Sequence, residues 1–270
     1  MKTKGILNMA ANRRIVWGGL VVVLITQSSI LAQIPSDVIW SDPSSADSDE
    51  STVSFGQHHS ASQVAPIPSI VTLQELKHRV PGRAAKEFER AVKAKEKGET
   101  EKAIAYFKNA IAADPEFCAA MNDLGTTYLR LNRPDLAAEQ FEQAIAVDPH
   151  NAAPYSNLSL AYLRQYAYAD AERTARRALE LDRGSSRSLV VLGVSLILQS
   201  KFTVEAERSL SRAAADFVPA KLWLALWLVG KGEIATARDQ LRTYVAEREN
   251  PGIRIATDWL QRLEAAGPWP

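Results

Sequence analysis

Cysteine is almost absent: Cys118 is the only one in 270 residues. An intrachain disulfide is therefore excluded, and no Cys/His spacing around it suits zinc. Cys118 reads as a small packing residue, the usual role of a free cysteine. Histidine is scarce too, with four in the chain. His58 and His59 adjoin but lack a third and fourth ligand, and His78 and His150 are distant in sequence. No metal or other cofactor is expected. There is no Ser-His-Asp set and no Gly-rich phosphate loop, so an enzyme is not expected either. Long apolar runs are also missing. The run at residues 15–25 has 11 residues, against the ~20 of a spanning helix.

Charge of one sign is missing from two stretches. Residues 1–32 carry Lys2, Lys4, Arg13 and Arg14 and no acid. Residues 33–68 carry Asp37, Asp42, Asp47, Asp49 and Glu50 and no Lys or Arg. Of 32 basic and 31 acidic residues, that leaves 28 and 26 for the remainder, a balance of +2. A near-neutral remainder makes no electrostatic case for nucleic acid.

The first stretch reads as an address. Basic residues precede the apolar run, polar Thr26-Gln27-Ser28-Ser29 follow, and Ile30-Leu31-Ala32 offers a small residue before a cut. Cleavage after Ala32 is expected, giving an exported chain, periplasmic or secreted. Counted on through Ala32, the apolar segment reaches 18 residues, so an uncleaved anchor is the alternative. Contact with a membrane is expected only in that case. Residues 33–69, poor in apolar groups, read as a disordered acidic linker. Residues 70–82, ending at Pro81-Gly82, read as an N-terminal clasp over whatever follows.

What the chain does have is a period. Ala103, Ala137 and Ala171 are 34 apart, as are Ala110, Ala144 and Ala178, and as are Asp114, Asp148, Asp182 and Asp216. Leu124-Gly125-Thr126-Thr127-Tyr128 returns as Leu158-Ser159-Leu160-Ala161-Tyr162 and as Leu192-Gly193-Val194-Ser195-Leu196. Such a period marks stacked helical hairpins, none able to bury its apolar face alone. Helix signals place pairs at about 83–97 and 100–113, 116–131 and 134–147, 152–165 and 168–181, 186–199 and 203–215, and 219–229 and 233–247. Gly98 and the Asp-Pro pairs at Asp114 and Asp148 mark ends. A last amphipathic helix at about 253–265 carries Ile255, Trp259 and Leu263 and reads, within residues 252–270, as a cap.

The pattern resembles the tetratricopeptide repeat. The second hairpin shows it most fully, in Met121, Leu124, Gly125, Tyr128, Ala137, Phe141, Ala144 and Pro149. The first keeps Ala91, Ala103, Phe107, Ala110 and Pro115. The third keeps Tyr155, Leu158, Ser159, Tyr162, Ala171 and Ala178, with Ala175 in the aromatic position. The fourth keeps Leu189, Leu192 and Gly193, with Ala206 and Ala213 one residue late. The fifth, around Trp223, Ala225, Ala237 and Leu241, is loose. The resemblance implies an all-α fold, a right-handed α-solenoid of about five such repeats over residues 84–251. Small residues at Gly125, Ser159 and Gly193 would let paired helices approach, and large ones would fill between hairpins.

The same resemblance puts the first helix of each pair on a concave groove that takes a protein or peptide partner. The inward positions are then Asn122, Thr126, Leu129 and Arg130; Ser156, Leu160, Leu163 and Arg164; Arg187, Val190, Val194 and Ile197; and Leu222, Leu226 and Val229. They grade from polar to apolar. Arg130 and Arg164, 34 apart, would stand together and could clamp a carboxylate; the alternative is that they solvate a helix end. The apolar run at residues 222–229 reads as core plus groove, or as a subunit interface; the oligomeric state is open. Family members that hold a chaperone tail use Lys, Asn and Arg at positions that here are Phe88, Val92, Asp123, Ala153 and Asn157, so that activity is not implied. The functional expectation is an exported scaffold without catalysis, or alternatively a membrane-anchored assembly subunit of an envelope complex.

Overall fold

The computed structural model describes residues 78–246 and 253–265. The expected leader, the acidic linker and residues 70–77 of the clasp lie outside them. Eleven helices fill the described residues: α1 (Gly82–Glu96), α2 (Thr100–Ala113), α3 (Cys118–Arg130), α4 (Pro134–Val147), α5 (Ala152–Arg164), α6 (Tyr168–Leu181), α7 (Ser186–Leu198), α8 (Val204–Ala213), α9 (Pro219–Lys231), α10 (Ile234–Ala246) and α11 (Ile253–Ala265). Consecutive helices pair as five hairpins, each packs on the next, and α11 packs on α10. The all-α solenoid is what the 34-residue period implies.

Both ends of each hairpin are built by repeated local chemistry. The first helices stop at a left-handed residue: Gly98, Asn132, Tyr166 and Ser200 have φ of 72°, 54°, 61° and 60°, and Gly232 has 83°. After each, the chain turns back to donate to a carbonyl in the helix's last turn, as Arg133 does to Tyr128 at 2.9 Å and Ala167 to Tyr162 at 2.9 Å. These bonds satisfy carbonyls that a helix end leaves orphaned. The second helices of the first three hairpins stop at aspartate. One carboxylate oxygen of Asp114, Asp148 and Asp182 accepts the backbone N–H two residues on, at 3.2, 3.2 and 2.9 Å. That bond fixes the turn into the next hairpin.

Packing follows the small-large alternation. Ala137, Phe141 and Ala144 lie on one stripe of α4 and are fully buried. Phe141 lies across Gly125: a Cβ there would come within 2.5 Å of its ring. In the fourth hairpin Leu210 takes the aromatic's place over Gly193, at 2.6 Å from a built Cβ. In the third, Ser159 and Ala175 are both fully buried, and the serine hydroxyl donates to the Ser156 carbonyl at 2.7 Å. Tyr128 is buried between hairpins, while Pro149 is exposed in its turn. Each fully buried ring of this kind contributes about 2–3 kcal/mol of transfer free energy.

At the C-terminal end, the main contacts of α9 are with α7, α8 and α10. The cap packs on α10, and Ala256 and Trp259 are its buried residues. A last hairpin offers its second helix, not its first, to whatever follows in sequence.

Candidate partner-binding groove

α3, α5, α7 and α9 touch one another in succession, and no comparable contact joins α4, α6, α8 and α10. Closer approach of the first helices puts them on the inner side of the array.

Polar side chains link these helices from hairpin to hairpin. Lys95 lies 3.7 Å from the Asp123 carboxylate. Asn157 donates to the Asn122 side-chain carbonyl at 2.8 Å, and Arg187 donates to that of Asn157 at 2.6 Å. One ladder thus crosses four hairpins. Arg164 donates to the Leu129 carbonyl at 2.5 Å, beside Arg130. Burial pushes the Asp123 carboxyl up, against the pull of Lys95 and Asn122. Ser188 donates to Ser156 at 3.0 Å beneath the ladder. Asn157 and Asp123 are the residues that sequence reasoning passed over: the family's tail-clamp pattern marked them as mismatches, and their pairing depends on how α3 meets α5.

The expected groove residues divide. Asn122, Thr126, Arg164 and Leu226 are half-buried, and Arg130 and Arg187 are exposed. These can meet a partner. Ser156 and Leu160 are buried. Val190 and Val194 are 0% exposed and Leu222 is 1% exposed, so these three are not an open groove floor. α7 packs against α5, α6, α8 and α9, and every residue from Ser188 to Ile197 is buried. An apolar inward position looks alike in sequence whether it lines a trough or fills a seam.

A second concavity of about 590 Å³ opens between α4, α5 and α6, lined by Tyr155, Leu158, Tyr162, Arg173 and Arg177 among others. Its charges are already matched. Arg173 meets Asp170 at 2.8 Å and Arg177 meets Glu180 at 2.7 Å. Tyr162 donates to Glu142 at 2.7 Å, and burial together with that carboxylate pushes its hydroxyl up to about 12. Among the described residues no group of three His, Cys, Asp or Glu could hold a metal ion, and no helix is long and apolar enough to cross a membrane.

Interlocked two-helix units with an accessible inner face define a helical-repeat solenoid, a class that works by holding other molecules. Residues 94–117 and 122–186 match the tetratricopeptide repeat family, so the chain carries tetratricopeptide repeats in that region. No curated protein matches it. Among solved structures, that of the MamA protein is 21% identical, covering 61% of this chain and 91% of that one, with a TM-score of 0.54. A thermophilic tetratricopeptide repeat protein of Thermus thermophilus is 20% identical over 68% of this chain and 98% of its own, with a TM-score of 0.53. PilF of Pseudomonas aeruginosa is 21% identical over 68% and 88%, with a TM-score of 0.55. These likenesses are of fold.

Proposed function

We propose that the chain is an exported, non-catalytic scaffold that holds a protein or peptide partner along the inner face of its first helices. The observation that carries this is the ladder Lys95–Asp123/Asn122–Asn157–Arg187, flanked by accessible Thr126 and Arg130. Half-buried Asn122 and Thr126 offer polar groups that suit the backbone of an extended segment. Nothing in the inventory of the repeats supplies a nucleophile with its base.

The test is a pull-down from envelope extract with wild type and a Thr126→Arg/Arg130→Glu double variant. Both positions reach solvent, so the fold should survive. Val194→Glu would bury an unpaired charge and unfold its hairpin. Proteins retained by wild type and lost from the double variant support the groove; an identical set removes it. Export rests on residues 1–32. A mature chain beginning at Gln33 supports it, and an intact Met1 on a membrane-bound chain favours the anchored subunit.

A further inference from the structure

In hairpins two to four, charge is sorted between the two kinds of helix. α5, α7 and α9 contain no acidic residue, and α3 contains one, Asp123, which faces Lys95. Apart from Lys231 at the end of α9, their cations fall in two registers of the repeat. Arg130 and Arg164 end α3 and α5, 34 residues apart; Arg187 and Lys221 begin α7 and α9, also 34 apart. The inner-face bonds of Arg164 to Leu129 and of Arg187 to Asn157 show which way these registers look. The second helices of hairpins two to four carry the opposite bias or a balance. α4 has Asp135, Glu139 and Glu142 and no Lys or Arg, and the arginines of α6 sit in ion pairs with its own and neighbouring carboxylates. Hairpins two to five therefore carry one cation each in these registers, within a chain of near-zero net charge.

We infer that this trough takes an acidic peptide segment, and that its resident occupant is the chain's own arm, residues 37–50, which a partner must displace. This rests on the groove reading above. The arm holds Asp37, Asp42, Asp47, Asp49 and Glu50 with no Lys or Arg across residues 33–68. It reaches: 27 residues separate Glu50 from His78, and at ~3.3 Å per extended residue they span far more than the row of helices, spaced at about 10 Å. His78 itself is fastened at the start of the array, to Asp114 at 2.7 Å. A tether of this length holds the arm near the trough at millimolar order of effective concentration, enough to make weak ionic contacts count. Cleavage after Ala32 would leave the arm on the mature chain.

The experiment uses the full chain and a fluorescein-labelled peptide of residues 36–51, read by anisotropy at low salt. An arm-neutralised chain carries Asp37→Asn, Asp42→Asn, Asp47→Asn, Asp49→Asn and Glu50→Gln. It should bind the peptide about tenfold more tightly than wild type, because the competing tethered segment is gone. Adding Arg130→Glu and Lys221→Glu to the neutralised chain should abolish binding, with an unchanged circular dichroism spectrum. Raising salt to 0.5 M should weaken it. Equal affinity for wild type and neutralised chain overturns the resident arm while leaving the groove reading intact. No binding to either overturns the acidic ligand, and the extract experiment still judges the groove. Wild-type peptide affinity that falls as chain concentration rises means that a second copy's arm occupies the trough, which overturns the intramolecular contact.

Discussion

Two positions show what the repeat demands of single residues. At Gly125 the helix crossing leaves no room for a side chain, since a Cβ would sit 2.5 Å from the Phe141 ring. The ring is 0% exposed and has nowhere to retreat. Gly125→Ala should cost about 1–3 kcal/mol despite alanine's better helix propensity, read as a lower urea midpoint. At Gly82, where a Cβ meets nothing, the same change should be near neutral. Tyr166 is the converse. It occupies the left-handed position that Gly98 and Asn132 fill with compatible residues, at φ 61°, with its ring 78% exposed. Its one ring contact is edge-on to Tyr168, centroids 6.4 Å apart. Tyr166→Asn should stabilise the chain by about 0.5–1 kcal/mol, by relieving the Cβ strain that left-handed backbone imposes; thermal unfolding at matched concentration reads it. Ser200 shows the same rule bending: neither serine nor tyrosine announces a left-handed cap, so the sequence revealed Gly98 alone.

At the scale of elements, the segment entering α1 is tied to the turn after α2. His78 meets Asp114 at 2.7 Å and Glu116 at 3.3 Å. The hydrogen bond to Asp114 raises the imidazole pKa above its usual 6.5, with help from both carboxylate charges and against desolvation. A raised folded-state pKa means that protonation favours the folded form. The contribution is complete below the unfolded value of about 6.5 and fades as pH climbs through the higher folded value. Wild type should lose stability relative to His78→Ala as pH rises past about 6.5, and the two midpoints should converge at the alkaline end. Parallel curves would mean that the bond does not couple to folding. The caps belong to this scale as well. Asp114, Asp148 and Asp182 are visible in sequence as a 34-residue recurrence, because a turn that repeats needs the same side-chain acceptor each time.

For the molecule as a whole, order runs along the array, since each hairpin touches chiefly its neighbours. Damage at one end should stay there. Trp259, 8% exposed, is the largest buried side chain of the cap α11. Trp259→Ala should remove about 3 kcal/mol from that end. Amide exchange should quicken through α10 and leave α3 to α6 unchanged. A uniform quickening would show that the five hairpins open as one unit. The link between the third and fourth hairpins is polar as well as apolar: Arg176 bridges Glu172 and Glu205, and Lys201 meets Glu172 at 3.0 Å. Glu172 is held below the usual carboxylate range by those partners and Gln199, against its burial.

By itself, the order of residues determined the unit and its count. Alanines and glycines where helices cross, rings where hairpins meet, and aspartates where chains turn are demands of one hairpin on its next copy, and a period writes them out. Only the packed array decided which inward residues meet solvent. Val190 and Val194 look inward by register yet are sealed, while Asn157, unremarkable in sequence, joins Asn122 to Arg187. Burial and hydrogen bonding between α3, α5 and α7 depend on how closely whole helices approach, a distance set by all the side chains between them and by none alone.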